Sequence, residues 1–392
     1  MSSLPPFAQP PRAAAAPVAS ASASLGALAV PVSARRGRST PVWVFAVLIV
    51  LLIGLVAYVL TYLGAVASVV GMVLALVPLA GVLLAVRIVD RWEPEPASLV
   101  VFAVAWGAIG AVAIALGIDI ALGALLPASP VDPVRDTLSS VVQAPLVEEL
   151  AKGLGVLLVY VFGRRAFDGP IDGVVYGALA GAGFAFTENV LYFATSLIEG
   201  GVSDTAFTFF LRGILSPFAH VMFTAITGYA IGRAARGGAS TGAAARAGLI
   251  GMLGAVALHA LWNGSAIFAD FFHLYLTLQV PLFVAFVLGV VMLRREQERL
   301  TKERLEEYAA AGWFTRAEVD LVATRSGRRR AIAWARTLPG DRSAQMRAFM
   351  ADATSLAAAR QRLLSGRSPE AEQDAQLYLG RAITARAVLL RG

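Results

Sequence analysis

Seven polar side chains lie inside long apolar segments, where burying a polar group costs free energy. Residues of this kind in such segments usually serve chemistry or transport. They are acids, imidazoles and carboxamides, and they occur in four successive segments of the sequence. The set consists of Glu148, Glu149, Glu188, Asn189, His220, His259 and Asn263. Because a charge near the bilayer centre costs several kcal/mol, such groups usually face the interior of a helix bundle. The pattern therefore predicts one convergent polar site.

Carboxylates and imidazoles in such a setting suit hydrolysis by an activated water molecule. A buried glutamate can serve as general base, and three His or Glu donors can hold Zn²⁺ with one position open. Asn189 or Asn263 can donate a hydrogen bond to a developing oxyanion. The sequence has no cysteine, no H-E-x-x-H motif and no paired membrane aspartates, which excludes a cysteine nucleophile and disfavours the usual zincin and aspartyl sites. Ser265 lacks a G-x-S-x-G context, so a serine hydrolase is disfavoured as well.

The elements that must position these groups are membrane helices. Of the 392 residues, 57% are hydrophobic and only 15% are charged. Several apolar runs reach the roughly 20 residues that a spanning helix needs. We therefore predict an all-α fold, a polytopic membrane helix bundle with about eight transmembrane helices. The expected spans are residues 42–63, 66–87, 98–122, 137–162, 171–198, 206–232, 246–268 and 272–293.

Basic residues are concentrated in alternate loops between these spans, which predicts that both termini are cytoplasmic. A helix rises about 1.5 Å per residue, so on this topology the acids and histidines lie roughly 13–21 Å below the outer ends of their helices. His259 and Asn263 are four residues apart and share a helix face. Glu148 and Lys152 have the same spacing and are expected to pair. Matching depth and facing both favour a single site.

Three regions are expected along the chain. Residues 1–40 are rich in Ala, Pro and Ser and have no periodicity, which predicts a disordered cytoplasmic segment. Residues 41–293 form the membrane domain, and residues 294–392 form a soluble helical cytoplasmic tail. The tail carries 19 Lys/Arg and 12 Asp/Glu, so the whole net charge of +7 lies there. We interpret this charge as suited to an anionic membrane surface or a cytoplasmic partner, and not to nucleic acid.

Helix boundaries in the tail are predicted from capping residues. Gly312 is expected to end the first tail helix, and Thr315 to cap the next one together with Glu318, three residues further on. Ser368 is expected to cap the last helix, with Pro369 at its first position.

Five segments within residues 85–268 resemble, in this order, the PrsW family of intramembrane proteases, relatives of the CAAX-prenyl-protease-like superfamily. The segments are DRWEPEP, PLVEELAKG, DGVVYGALAGAGFAFTEN, SPFAHVMFT and HALWN. The resemblance implies a polytopic protease that cuts in or near a membrane segment of its substrate; some members act on membrane-bound anti-sigma factors. It also implies a metalloprotease, as the family is usually described.

The motifs of the superfamily fall on particular residues of this chain. The first motif falls on Glu148 and Glu149, the second on Phe184 and Glu188 with Asn189, and the later histidines on His220 and His259, followed by Asn263. CAAX-type relatives have a histidine where this chain has Glu188, so their glutamate/histidine scheme does not transfer directly.

We interpret the chain as a multi-pass cell-membrane peptidase whose partners are the bilayer and a membrane-anchored protein substrate. Glu148 or Glu149 is expected as the base. The metal or polar triad is expected to be Glu188, His220 and His259, with Zn²⁺ as the candidate ion, and Asn263 is expected to stabilise the oxyanion. Two alternatives stay open. One is a proton- or ion-coupled transporter, which would need two related halves with broken helices. The other is a non-catalytic membrane scaffold of the same fold.

Overall fold

The computed structural model describes residues 42–125, 133–164, 166–268, 270–366 and 371–390. Within these residues the regular elements are all helical, which confirms the all-α prediction. Contacts divide the described chain into a membrane unit, residues 42–291, and a C-terminal unit, residues 292–390. The predicted disorder of residues 1–40 and the predicted caps Ser368 and Pro369 lie outside the described residues.

The membrane unit is built from α-helices that are joined at several points by π-helical turns. The helices are α1 (Val42–Val89), α2 (Ala97–Ala105), α3 (Val112–Leu125), α4 (Pro133–Leu138), α5 (Ala144–Phe162), α6 (Pro170–Phe209), α7 (Ala219–Arg236), α8 (Thr241–Phe268), α9 (Phe271–Leu274) and α10 (Val280–Ala310). The π turns are Trp106–Ala111, Ser139–Gln143, Phe210–Leu215 and Tyr275–Gln279. A short 3₁₀ turn, Asp90–Trp92, follows α1.

Five described helical segments are long and apolar enough to cross a membrane. Two of them are too long for one crossing, since 50 and 67 residues far exceed the roughly 20 that a bilayer requires. Each contains a residue with non-helical backbone, Gly64 at φ 71° and Gly201 at φ 66°. Helix α5 is not among the five, because it carries Glu148, Glu149 and Lys152. The count of eight spans remains a prediction.

Small residues let α6 and α7 approach closely along their length. A Cβ atom added to Gly173 would overlap the backbone of Gly228, and one added to Gly181 would overlap the backbone of His220. Close backbone contact through small residues is the usual basis of helix association in lipid. The contact at Gly181 brings the backbone of His220 against α6, two turns before Glu188, and so sets the spacing of the site.

The C-terminal unit has a hydrophobic core of its own. Leu305 and Tyr308, near the end of α10, lie in this core. Phe314, just before α11, also belongs to this core. The remaining core residues come from α11 (Arg316–Ala323), α12 (Arg325–Thr337), α13 (Ser343–Leu364) and α14 (Ala371–Leu390). The caps predicted here are confirmed: α10 ends two residues before Gly312, and Thr315 and Glu318 form a capping box at the start of α11.

Candidate active site

Helix α5 supplies two adjacent carboxylates with different surroundings. The Glu149 side chain is fully buried, whereas 14% of the Glu148 side chain is exposed. Successive helix residues point about 100° apart, so one faces the neighbouring helices and the other faces a more open space. The two acids therefore have different chemistry available to them, which adjacency in the sequence does not reveal.

Glu149 is held by groups from three helices. Lys152 Nζ lies 2.6 Å from its Oε1, and Thr224 Oγ1 on α7 donates to its Oε2 at 3.0 Å. On α8, His259 Nδ1 lies 3.1 Å from Oε1. Since a carboxylate only accepts hydrogen bonds, Nδ1 of His259 must carry the hydrogen. In the neutral ring the other nitrogen, Nε2, has a free lone pair; it lies 3.8 Å from Glu148 Oε2.

The fully buried Lys152 connects the two acids to the first histidine. Its Nζ lies 3.4 Å from Glu148 Oε2 and 3.1 Å from His220 Nδ1, and it sits 4.1 Å from the centre of the Phe184 ring. The predicted pairing with Glu148 is therefore present, but the shorter ion pair is with Glu149. A buried ammonium near a pair of carboxylates and an aromatic face is well compensated for its lost hydration.

His220 lies in the first turn of α7, just after Pro217 interrupts the helical path. Its Nε2 lies 2.7 Å from Glu188 Oε2 on α6. The Lys152 ammonium can only donate, to Nδ1, and the Glu188 carboxylate can only accept, from Nε2. These two contacts assign a neutral imidazole whose nitrogens both have protein partners.

Arg212 was missed by the sequence reasoning. It lies in the π turn Phe210–Leu215, and its Nη2 donates to Glu188 Oε2 at 2.5 Å while its Nε donates to Asn189 Oδ1 at 2.8 Å. The guanidinium also lies 3.9 Å from the centre of the Tyr192 ring. The sequence carries a signal for it: Arg212 is the only Lys or Arg inside the apolar segment predicted to span residues 206–232, and a cation in a membrane segment usually has an acidic partner.

Asn263 joins the site through the backbone of another helix. Its Nδ2 donates to Ser140 O at 2.8 Å. In a π turn, the Ser140 carbonyl would accept a hydrogen bond from the backbone nitrogen five residues later. That nitrogen belongs to Pro145 and has no hydrogen, so the carbonyl is available to Asn263. Asn263 thus replaces a helical hydrogen bond that proline removes, and it uses one of its two amide hydrogens to do so.

Three of these side chains are close enough to hold a metal ion together. Glu148, His220 and His259 each offer one donor atom, and these atoms all lie within 4.8 Å of one another. This group differs from the predicted set in having Glu148 in place of Glu188. Glu188 contacts His220 but is also occupied by the Arg212 guanidinium. All seven predicted site residues lie in this region of the membrane unit, linked by the contacts above.

Comparisons with known proteins place the chain in a family. A family model described as PrsW family intramembrane metalloprotease matches residues 95–290, half of the chain. Protease PrsW of Geobacillus kaustophilus is 29% identical over 145 residues, which cover 37% of this chain and 58% of that protein. Protease PrsW of Oceanobacillus iheyensis is 35% identical over 92 residues, covering 24% and 39% respectively.

Protease PrsW of Bacillus subtilis is 37% identical over 79 residues, covering 20% of this chain and 33% of that protein. The chain thus spans at most 58% of the length of these curated relatives. No solved structure matches significantly. The matched region of the family model contains every residue of the site, from Glu148 to Asn263, and the chain belongs to the PrsW family of intramembrane metalloproteases.

Proposed function

We propose that the chain is an intramembrane peptidase that hydrolyses a peptide bond in or near the membrane segment of a membrane-anchored protein. One observation carries the proposal: Glu148, His220 and His259, from three different helices, bring donor atoms within 4.8 Å of one another in the membrane unit. Isolated polar residues that merely join helices have no reason to converge in this way. A membrane-anchored anti-sigma factor is the candidate substrate, because the family resemblance implies it.

Glu148 is the proposed general base. It keeps some exposure, and its Oε2 lies 3.8 Å from the free Nε2 of His259, so one water molecule can hydrogen-bond to both. Glu149 is less suitable, because Lys152, Thr224 and His259 already occupy its oxygens in a fully buried position. Its proposed role is to orient His259, as carboxylates commonly orient catalytic or ligating histidines.

The same residues fit a metal ion. With neutral histidines, three carboxylates (Glu148, Glu149, Glu188) outweigh Lys152 and Arg212, which leaves a net charge of −1 that favours a cation. Nitrogen and oxygen donors suit Zn²⁺, and Glu148, His220 and His259 would hold it with one donor atom each. Glu148 would ligate through one carboxylate oxygen and keep the other to accept the proton from water. When bound, the ion would supply Lewis acidity toward a carbonyl and lower the pKa of water.

Ligation by His220 requires the imidazole to release one existing contact, either Lys152 at Nδ1 or Glu188 at Nε2. For the substrate carbonyl, Asn263 is the proposed donor, because it retains one amide hydrogen after bonding to Ser140 O. The chain's own residues would therefore accept the proton from water, orient the histidine and stabilise the oxyanion.

Two linked experiments test the proposal. First, membranes from cells that express the wild type, Glu148→Gln or Asp119→Asn are compared by mapping new protein N-termini. Asp119→Asn is the matched control, because it neutralises an exposed carboxylate on α3, away from the site. Membrane-protein cleavage products are expected with the wild type and the control and absent with Glu148→Gln. Equal products in all three would overturn the proposal and favour a transporter or a scaffold.

Second, the metal content of purified wild type is compared with that of a His220→Ala/His259→Ala double variant. About one zinc per chain that is lost in the double variant supports the metallopeptidase form. Cleavage that depends on Glu148 in metal-free protein would instead assign water activation to the carboxylate alone.

A further inference from the structure

Helix α12 of the C-terminal unit has an unusual composition. Its sequence, RSGRRRAIAWART, contains five arginines and no acidic residue. Ala331 and Ala335 lie on its buried side, in the core of the unit. Arg329, Arg330 and Trp334 lie on the exposed side. The helix is thus held in place by its small apolar residues while its basic residues remain outside.

The arginines of α12 divide into those with structural partners and those without. Arg325 forms an ion pair with Glu298 at 3.3 Å, and Arg328 donates to Thr354 Oγ1 at 2.6 Å. Arg336 interacts electrostatically with Asp341. In contrast, Arg329 and Arg330 make no hydrogen bond or ion pair with any residue that the structure describes. Among the described residues of the unit, these two guanidinium groups are therefore available to an external partner.

A large aromatic side chain accompanies the two free arginines. Trp334 is 43% exposed and lies four residues after Arg330, on the same side of the helix. Tryptophan and arginine together are typical of the headgroup region of a membrane, where the indole has an apolar body and one polar end.

We propose that the face formed by Arg329, Arg330, Ala333 and Trp334, here called the α12 face, binds the phosphates of anionic lipid headgroups. The charge is complementary, and the guanidinium fork suits phosphate oxygens. Chain connectivity favours lipid over a soluble partner. Helix α10 runs from the apolar segment that begins at Val280 into the core of the C-terminal unit, so the unit is permanently tethered to a bilayer.

The absence of cysteine allows a direct test in the full-length chain. Ala333→Cys places one spin label on the α12 face, and Ala351→Cys places a control label at an exposed position on α13. Both proteins are placed in nanodiscs of phosphatidylcholine alone or mixed with phosphatidylglycerol. Spectra give the ratio of immobilised to mobile label, and relaxation by oxygen reports contact with lipid.

With anionic lipid, the label at position 333 is expected to become immobilised and accessible to oxygen, while the label at 351 is unchanged. Arg329→Gln/Arg330→Gln should lower the ratio of immobilised to mobile label at position 333 about 30-fold, since each arginine contributes about fivefold to binding near an anionic surface. Arg316→Gln/Arg347→Gln is the charge-matched control on α11 and α13 and should have little effect. About 0.5 M salt should release the α12 face from the lipid headgroups, because salt screens the attraction between the arginines and the phosphates.

Three results would overturn the proposal. The first is an equal response of the label at 333 to both lipid compositions. The second is a loss in the control double variant as large as in the Arg329/Arg330 pair. The third is a docked fraction that added salt leaves unchanged. Unfolding curves recorded for all variants show whether the fold is intact; because the substituted side chains are exposed, unchanged curves are expected. The test is independent of peptidase activity.

Discussion

Replacing Lys152 with methionine tests whether the buried ion cluster is organised as described. Methionine keeps a long, unbranched side chain but removes the ammonium that lies 2.6 Å from Glu149 and 3.1 Å from His220. Breaking a fully buried ion pair by removing one partner typically costs 3–5 kcal/mol. Glu149 keeps its hydrogen bonds to Thr224 and His259, so we expect a loss near the lower end, about 3 kcal/mol of unfolding free energy.

A double variant separates the loss of the pair from the loss of side-chain packing. In Glu149→Gln/Lys152→Met the unpaired anion is also removed, and the amide oxygen can still accept from Thr224. We expect this variant to recover about 2 kcal/mol relative to the sum of the two single variants. The free energies come from reversible unfolding in mixed micelles. Leu150→Met, a change at a half-exposed position of the same helix, is the control and should stay within about 0.5 kcal/mol of wild type.

Two outcomes would refute this reasoning. One is a Lys152→Met variant within 1 kcal/mol of wild type, which would mean that the ammonium is not required to balance Glu149. The other is strict additivity in the double variant, which would mean that the two side chains do not interact.

Three further predictions follow from contacts elsewhere in the membrane unit. Gly228→Ala should destabilise the protein by more than about 2 kcal/mol, because its Cβ would overlap the Gly173 backbone. Gly117→Ala, which meets nothing within 4 Å, should change unfolding free energy by less than about 1 kcal/mol. Arg212→Ala should lower kcat about 10- to 100-fold with little change in KM, since a charged hydrogen bond to Glu188 is worth about 1.5–3 kcal/mol. Arg212→Lys should restore part of the lost kcat. Unchanged kcat in both variants would show that Glu188 needs no such partner. Burial, and after it the charge of Asp172, holds the pKa of Glu95 well above its ordinary value of 4.5. The free energy of unfolding should therefore fall as the pH rises through the raised pKa, and Glu95→Gln should flatten that fall. Parallel curves of unfolding free energy against pH for the two proteins would contradict this.

The convergence of Glu148, His220 and His259 could be predicted from the sequence, because charged and polar side chains are conspicuous in an apolar segment; the roles of these residues remain a prediction. The same logic marked Lys152 as a partner of Glu148, since residues four apart share a helix face. It did not divide the roles of Glu148 and Glu149, because that division depends on which side of α5 meets α7 and α8. Those contacts depend in turn on close backbone approach at glycines, which only the assembled bundle shows.

The π turns are the part that local sequence patterns did not reveal. The turn Ser139–Gln143 presents the carbonyl that Asn263 uses, and the turn Phe210–Leu215 carries Arg212. Apolar periodicity does not distinguish hydrogen bonds to the fifth residue from those to the fourth, so no π turn is predicted at either place. Pro145 and Pro217 were the available hints, since each removes a backbone donor just after a π turn.

The spacing of the partners of α5 along the chain has a consequence for biosynthesis. A ribosome delivers Glu149 and Lys152 first. Lys152 contacts His220, which follows 68 residues further along the chain. Glu149 contacts Thr224 and His259, which follow 75 and 110 residues further along. Until those residues emerge, α5 is a segment with three charges that lipid alone does not accommodate. Its stable placement must await α7 and α8, so the contacts of the candidate site form only when nearly all of the membrane unit has been translated.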